Sequence, residues 1–89
     1  MYRLELTARA QRDLDRVPDE ELERLAQAIR KLGEDPRPRG VRKLRGPIYR
    51  VRVGEWRVVY AVFDRDRLVL VGKVARRSER TYQDVDELF

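Results

Sequence analysis

The stretch that decides the fold covers residues 48–63: Ile48-Tyr49-Arg50-Val51-Arg52-Val53, then Gly54-Glu55, then Trp56-Arg57-Val58-Val59-Tyr60-Ala61-Val62-Phe63. Both flanks are rich in β-branched and aromatic residues, which suit a pleated, half-buried surface. A Gly-X pair between two such runs marks a two-residue hairpin with a type II′ turn, where glycine takes the positive φ of the first turn position. With Gly54-Glu55 as the loop, Val53 faces Trp56, Arg52 faces Arg57, Val51 faces Val58 and Arg50 faces Val59. Successive side chains point to opposite faces of a strand. One face then carries Tyr49, Val51, Val53, Trp56, Val58, Tyr60 and Val62, and reads as core. The other carries Ile48, Arg50, Arg52, Arg57, Val59, Ala61 and Phe63, apolar at one end and cationic at the other.

Working outward, a turn at 64–67 leads into a further strand over 68–75. Upstream, Tyr2, Leu4 and Leu6 alternate with charged residues and predict an opening strand. Thr7 is placed to cap a short helix with Ala10, Leu14 and Val17 inward. Pro18-Asp19 ends that helix and starts another, in which Leu22, Leu25, Ala26, Ile29 and Leu32 form one apolar stripe. Gly33 stands where a C-terminal cap belongs, with Pro36 beyond it. Residues 34–47, with Pro36, Pro38, Gly40, Gly46 and Pro47, read as an irregular basic connection. Residues 84–89 read as a brief capped helix or a tail. The expected class is α+β, a mostly antiparallel four-stranded sheet with two N-terminal helices on one face, in a single domain over residues 1–89.

Composition narrows the chemistry. The 89 residues include no cysteine and no histidine. That removes disulfides, thiolate metal sites, the commonest metal ligand and the usual neutral-pH proton shuttle, so no metal or cofactor is expected. No apolar run reaches the ~20 residues of a membrane span, and a cytoplasmic protein without a membrane partner is the expectation. Charge is unevenly placed within a formal net of +5. Residues 37–57 hold eight basic side chains against Glu55 alone, while residues 1–36 hold seven basic and nine acidic ones. Lys73, Arg76, Arg77 and Arg80 follow later, and the end of the chain is acidic. A positive middle between acidic ends is the footprint of a site for a polyanion.

Arg52 opposite Arg57 is a like-charge cross-strand pair, which costs stability. Arg50 lies two residues along on the same face. A phosphodiester would relieve the repulsion, because the guanidinium fork matches phosphate geometry. Arg76, Arg77, Arg80 and Tyr82 follow the last strand, and a tyrosine beside arginines can stack on an unpaired base. RNA carries its own nucleophile, the 2′-hydroxyl, so cleavage needs in-line positioning, charge stabilisation and proton transfer. Arginines supply the first two and not the third, since guanidinium stays protonated. Tyr82, Glu79, Glu55, Lys43 and Lys73 remain open as proton-transfer groups.

The run Lys43-Leu44-Arg45-Gly46, the hairpin segments Tyr49–Gly54 and Trp56–Tyr60, and Arg76-Arg77 through Tyr82 resemble the RelE/ParE toxin superfamily, in particular its RelE ribonuclease branch. The resemblance covers nearly the whole chain. It implies the toxin of a type II toxin–antitoxin system, a metal-independent endoribonuclease that cuts mRNA in the ribosomal A site. Attack by the 2′-hydroxyl would leave a cyclic phosphate. It also implies a cognate RelB-like antitoxin, and operator DNA bound only through the toxin–antitoxin complex. By this resemblance Arg50, Arg52, Arg57, Arg77 and Tyr82 take the catalytic positions, with Lys43, Arg45, Arg76 and Arg80 as further RNA-binding residues. The best-known member has lysine where this chain has Arg50 and Arg52, which leaves the proton acceptor open. Strand alternation continued through Val74 favours Arg76 for the arginine after the last strand, whereas the resemblance favours Arg77. Two other readings are a ParE-like inhibitor of DNA gyrase and a non-catalytic nucleic-acid-binding, autoregulatory module.

Overall fold

The hairpin forms in the expected register. A computed structural model describes residues 1–77 and Phe89. In it β3 (Ile48–Val53) and β4 (Trp56–Phe63) pair antiparallel, with Arg52 opposite Arg57 and Val53 opposite Trp56. Gly54 has φ 60°, and Glu55 is not among the residues of positive φ, as a type II′ turn requires. A side chain at Gly54 would be strained by that φ, and its Cβ would lie 3.0 Å from Arg24 Nη1.

Before the hairpin come β1 (Arg3–Leu6), α1 (Ala8–Asp15), α2 (Asp19–Glu34) and β2 (Arg42–Arg45); β5 (Leu68–Arg76) follows it. The sheet order is β1-β5-β4-β3-β2, with β1 parallel to β5 and the other neighbours antiparallel. The expected sheet had four strands; the fifth is β2, inside the stretch read as irregular. Its four residues sit between Gly40 and Gly46-Pro47, and so dense a set of turn residues hides a short strand.

Thr7 caps α1 as expected, its hydroxyl accepting the Ala10 N–H at 3.1 Å. Gly33 is not a cap. It lies within α2, its carbonyl accepts the Tyr2 N–H at 2.7 Å, and a Cβ there would approach the Tyr2 carbonyl oxygen to 3.1 Å. The glycine lets the start of β1 approach the last turn of the helix.

Both helices pack on one side of the sheet. Ala10, Val17, Leu25, Ile29 and Leu32 join Trp56, Val58, Tyr60, Val62, Val69, Val71 and Val74 in one buried cluster. On the other side a small cluster of Ile48, Val59 and Ala61 is flanked by Leu44, Phe63 and Phe89, and among the described residues no helix covers it.

A polar strap ties the 34–41 connection to the sheet edge. The Arg37 guanidinium forks onto Asp64 at 2.7 and 3.2 Å and donates to the Tyr49 hydroxyl at 3.0 Å. Tyr2 donates to Asp64 at 2.6 Å, and the buried Tyr60 hydroxyl donates to the Pro36 carbonyl at 2.7 Å. The Arg37 hydrogen bond holds the Asp64 carboxyl below its ordinary range, while the bond to Asp64 raises the Tyr2 phenol. Burial raises that of Tyr60. Arg37 is thereby committed to Asp64 and Tyr49.

Candidate nucleic-acid interface

The sheet face turned away from the helices collects the basic residues by register alone. β2 places Arg42 opposite Arg50, and β3 places Arg52 opposite Arg57. Two like-charge pairs thus lie side by side, each costing roughly 0.2–1 kcal/mol relative to a neutral pair. Exposure is graded along this set: Arg52 and Arg42 are exposed, Arg57 is half-buried and Arg50 is only 5% exposed. Arg45, across a bulge between Lys43 and Arg45, sits opposite Ile48 and extends the set along the sheet edge.

β5 completes the face through an irregularity. Val69 and Val71 point into the helix-side core, and simple alternation would send residue 73 there as well. The register slips between Val59 and Tyr60: Tyr60 is opposite Val71, Val59 is opposite Lys73, and Gly72 is the extra residue. Such a bulge reverses the phase of the strand and re-aims the side chains beyond it. Val74 turns inward, and Lys73 and Ala75 fall on the arginine face, with Ala75 opposite Arg57.

The same bulge sets where Arg76 and Arg77 lie. Arg76 pairs with Trp56 on the helix side, and its guanidinium carbon lies 4.5 Å from the Trp56 ring centroid. There it lines a pocket of about 170 Å³ with Asp13, Arg16 and Val74, on the opposite side of the sheet from Arg50, Arg52 and Arg57. Simple alternation would put Arg76 on the arginine face, and the Gly72 bulge turns it to the helix side instead. Arg77 continues the ladder, its N–H donating to the Glu55 carbonyl at 2.7 Å, two residues beyond Arg57's partner Ala75.

Of the residues expected to meet RNA, Arg45, Arg50, Arg52 and Arg57 share one face, and Arg77 stands at its end. Lys43 is opposite Tyr49, on the helix side, and does not join them. Arg80 and Tyr82 lie outside the described residues, as do residues 84–88 of the expected C-terminal helix or tail. Two further basic residues share the face: Arg42, which was not among the expected site residues, and Lys73, which was expected only as one of several open proton-transfer groups. A strand over 42–45 would have exposed the first, and only the bulge exposes the second. Among the described residues no group of three or more His, Cys, Asp or Glu is arranged to hold a metal ion. No described helix is long and apolar enough to cross a membrane.

A helix pair on one side of a small sheet and a cationic strand face on the other define a class, and comparison with known proteins supplies its family. The sequence profile of the family described as "ParE toxin of type II toxin-antitoxin system, parDE" matches residues 4–81, so the chain belongs to the RelE/ParE superfamily of type II toxins. Within it the likeness is to RelE proteins. RelE1 of Methanocaldococcus jannaschii is 32% identical over 82 residues, 86% of this chain and 91% of its own. The Pyrococcus horikoshii RelE–RelB complex contains a chain that superposes with a TM-score of 0.79 at 28% identity, over 89% of this chain and 98% of that one. For the isolated E. coli RelE toxin the TM-score is 0.75 at 28% identity, over 92% and 89% of the two chains.

Proposed function

We propose that this toxin is an endoribonuclease that cuts mRNA in the ribosomal A site by attack of the 2′-hydroxyl on the adjacent phosphate. The observation that carries the reading is the pairing of Arg52 with Arg57 beside Arg42 with Arg50 on the sheet face opposite helices α1 and α2. Four guanidiniums gathered on one strand face by register suit an anionic ligand, because their forked donors match phosphate geometry. The phosphate of a splayed message is the one the resemblance supplies. Arg57 stabilises the charge that develops on the phosphorane, and Arg50, Arg52 and Arg42 hold the phosphate in line. Guanidinium groups suit this work because they present fixed donors and stay charged. Arg77 assists the departing 5′-oxygen, and Tyr82 stacks on the base.

A RelB-like antitoxin is the proposed partner, since several structural relatives are RelE–RelB complexes. Operator DNA is reached through that complex. The test is to express the chain in cells and map the 5′ ends of cellular messages. Cuts inside codons of translated regions, absent with Arg57→Ala, are expected. Intact messages in growth-arrested cells would sink the ribonuclease reading. The ParE description of the matching family favours gyrase as the second candidate, and purified gyrase would then lose supercoiling activity with the toxin present.

A further inference from the structure

We propose that Lys73 is the proton acceptor for the 2′-hydroxyl, a role that rests on the ribonuclease reading above. Proton transfer is the one requirement the arginines cannot meet, and the chain has no histidine or cysteine to meet it. The structure separates the open candidates by position. Lys43 is opposite Tyr49 on the helix side, and Glu55 sits in the turn beyond the Arg52–Arg57 pair. Lys73 alone among the described candidates lies on the arginine face itself.

Its placement there is a consequence of the Gly72 bulge. Without the extra residue, Lys73 would follow Val69 and Val71 toward the helices, and Val74 would be turned out. Bulges of this kind recur next to active sites because they re-aim one side chain without rebuilding the strand. β1 ends opposite Val71, so Lys73 stands just past the covered part of the β5 edge. Asp13 of α1 takes over beyond that point, its carboxylate accepting the Val74 N–H at 2.9 Å.

Among the described residues the charged groups around Lys73 come from β4, β3, α1 and β1, the last supplying Glu5 opposite Leu70 on the same face, where it pairs with Arg3 at 2.8 Å. β4 supplies Arg57, a diagonal neighbour at ~7–8 Å between backbones. β3 supplies Arg50 beyond Val59, two strand spacings or roughly 10 Å away, and Arg52 further along. α1 supplies Asp13 on the helix side, engaged with the backbone of the next residue. The flexible four-carbon stem of lysine can bring Nζ to the phosphate that Arg57 holds. In the step itself the neutral Lys73 amine takes the 2′-hydroxyl proton, and the 2′-oxygen forms its bond to phosphorus. The bond from phosphorus to the 5′-oxygen breaks, and that oxygen leaves with the electron pair and takes a proton from water. The products are a 2′,3′-cyclic phosphate and a 5′-hydroxyl, and the Lys73 ammonium returns its proton to solvent.

The test is single-turnover cleavage of ribosome-bound message across neutral pH. It uses the wild-type toxin, Lys73→Arg, and Lys73→Cys before and after alkylation with 2-bromoethylamine. Because the chain contains no other cysteine, alkylation restores an amine at this one position. The wild-type rate is expected to climb with pH, and Lys73→Arg to be slower by about 10²–10⁴-fold with its charge and RNA affinity kept. The alkylated Lys73→Cys protein should recover activity with its pH profile moved toward acid, since the sulfur weakens the amine as a base. A purely structural lysine would be replaced by arginine without loss and would not move the profile. Cleavage by Lys73→Arg within about threefold of wild type and with the same pH dependence overturns the assignment and leaves the ribonuclease reading intact. Absence of cleavage by the wild-type toxin would overturn that reading itself.

Discussion

The two faces of the central hairpin are made by alternate residues of the same sixteen-residue stretch, yet they obey opposite rules. On the helix side, Trp56, Val58, Tyr60 and Val62 are closed over by Leu25, Ile29 and Leu32, and their polar atoms find partners: Trp56 Nε1 donates to Glu21 at 3.2 Å and Tyr60 to the Pro36 carbonyl. On the other side the register sets arginine against arginine twice over. One face is built to lower the free energy of the folded chain. The other gathers cations by register, the arrangement that the proposed RNA substrate would meet.

That contrast can be broken from either side. The largest effect is expected from Arg57→Ala, which should lower cleavage by about 10²–10³-fold, the usual loss for one transition-state donor, while circular dichroism shows the fold retained. Leu25→Ala should do the reverse. Leu25 is fully buried, and its truncation should cost about 2–5 kcal/mol in urea denaturation, a large share of the stability of so small a chain, with the cleavage chemistry of the remaining folded molecules unchanged.

Arg52→Glu sharpens the comparison because the two faces predict opposite signs. The substitution turns a repulsive pair into an attractive one, so the denaturation midpoint should rise, by about 0.2–1 kcal/mol of stability. RNA affinity should fall, and the slope of log affinity against log salt should become shallower. A destabilised Arg52→Glu protein would contradict a net cost of the Arg52–Arg57 pairing to the fold.

The smallest effect concerns the strap beside the sheet. Asp64 is held below its ordinary range when folded, so its contribution is present above the carboxylate range and is lost as pH falls through the folded value. Tyr2 is raised when folded, so its contribution is fully present below its ordinary phenol range and is lost as pH rises through the raised folded value. Thermal midpoints of Asp64→Asn should lack part of the acid decline, and those of Tyr2→Phe part of the alkaline decline. Neither substitution touches the arginine face, so cleavage should persist in both.

The hairpin, its turn and the split between core and arginine faces were legible in residues 48–63, because a glycine at the turn and strict alternation admit one register. The helix stripe and the Thr7 cap were legible for the same reason: each depends on neighbours within a few residues. What escaped was set by contacts distant in sequence. β2 exists because β3 pairs with it, which brings Arg42 onto the face opposite Arg50 despite the prolines and glycines around it. Gly33 looked like a cap and is instead a point of close approach to Tyr2, 31 positions away.

By itself the sequence determined that a basic strand face exists, which arginines form its centre, and that no histidine or cysteine serves them. The tertiary structure alone decided the membership at its margins: Arg42 in, Lys43 and Arg76 out, Lys73 in. The physical reason is the period of a strand. A single extra residue at Gly72 inverts every side chain beyond it, and local sequence carries no mark of that slip until the partner strand is in place.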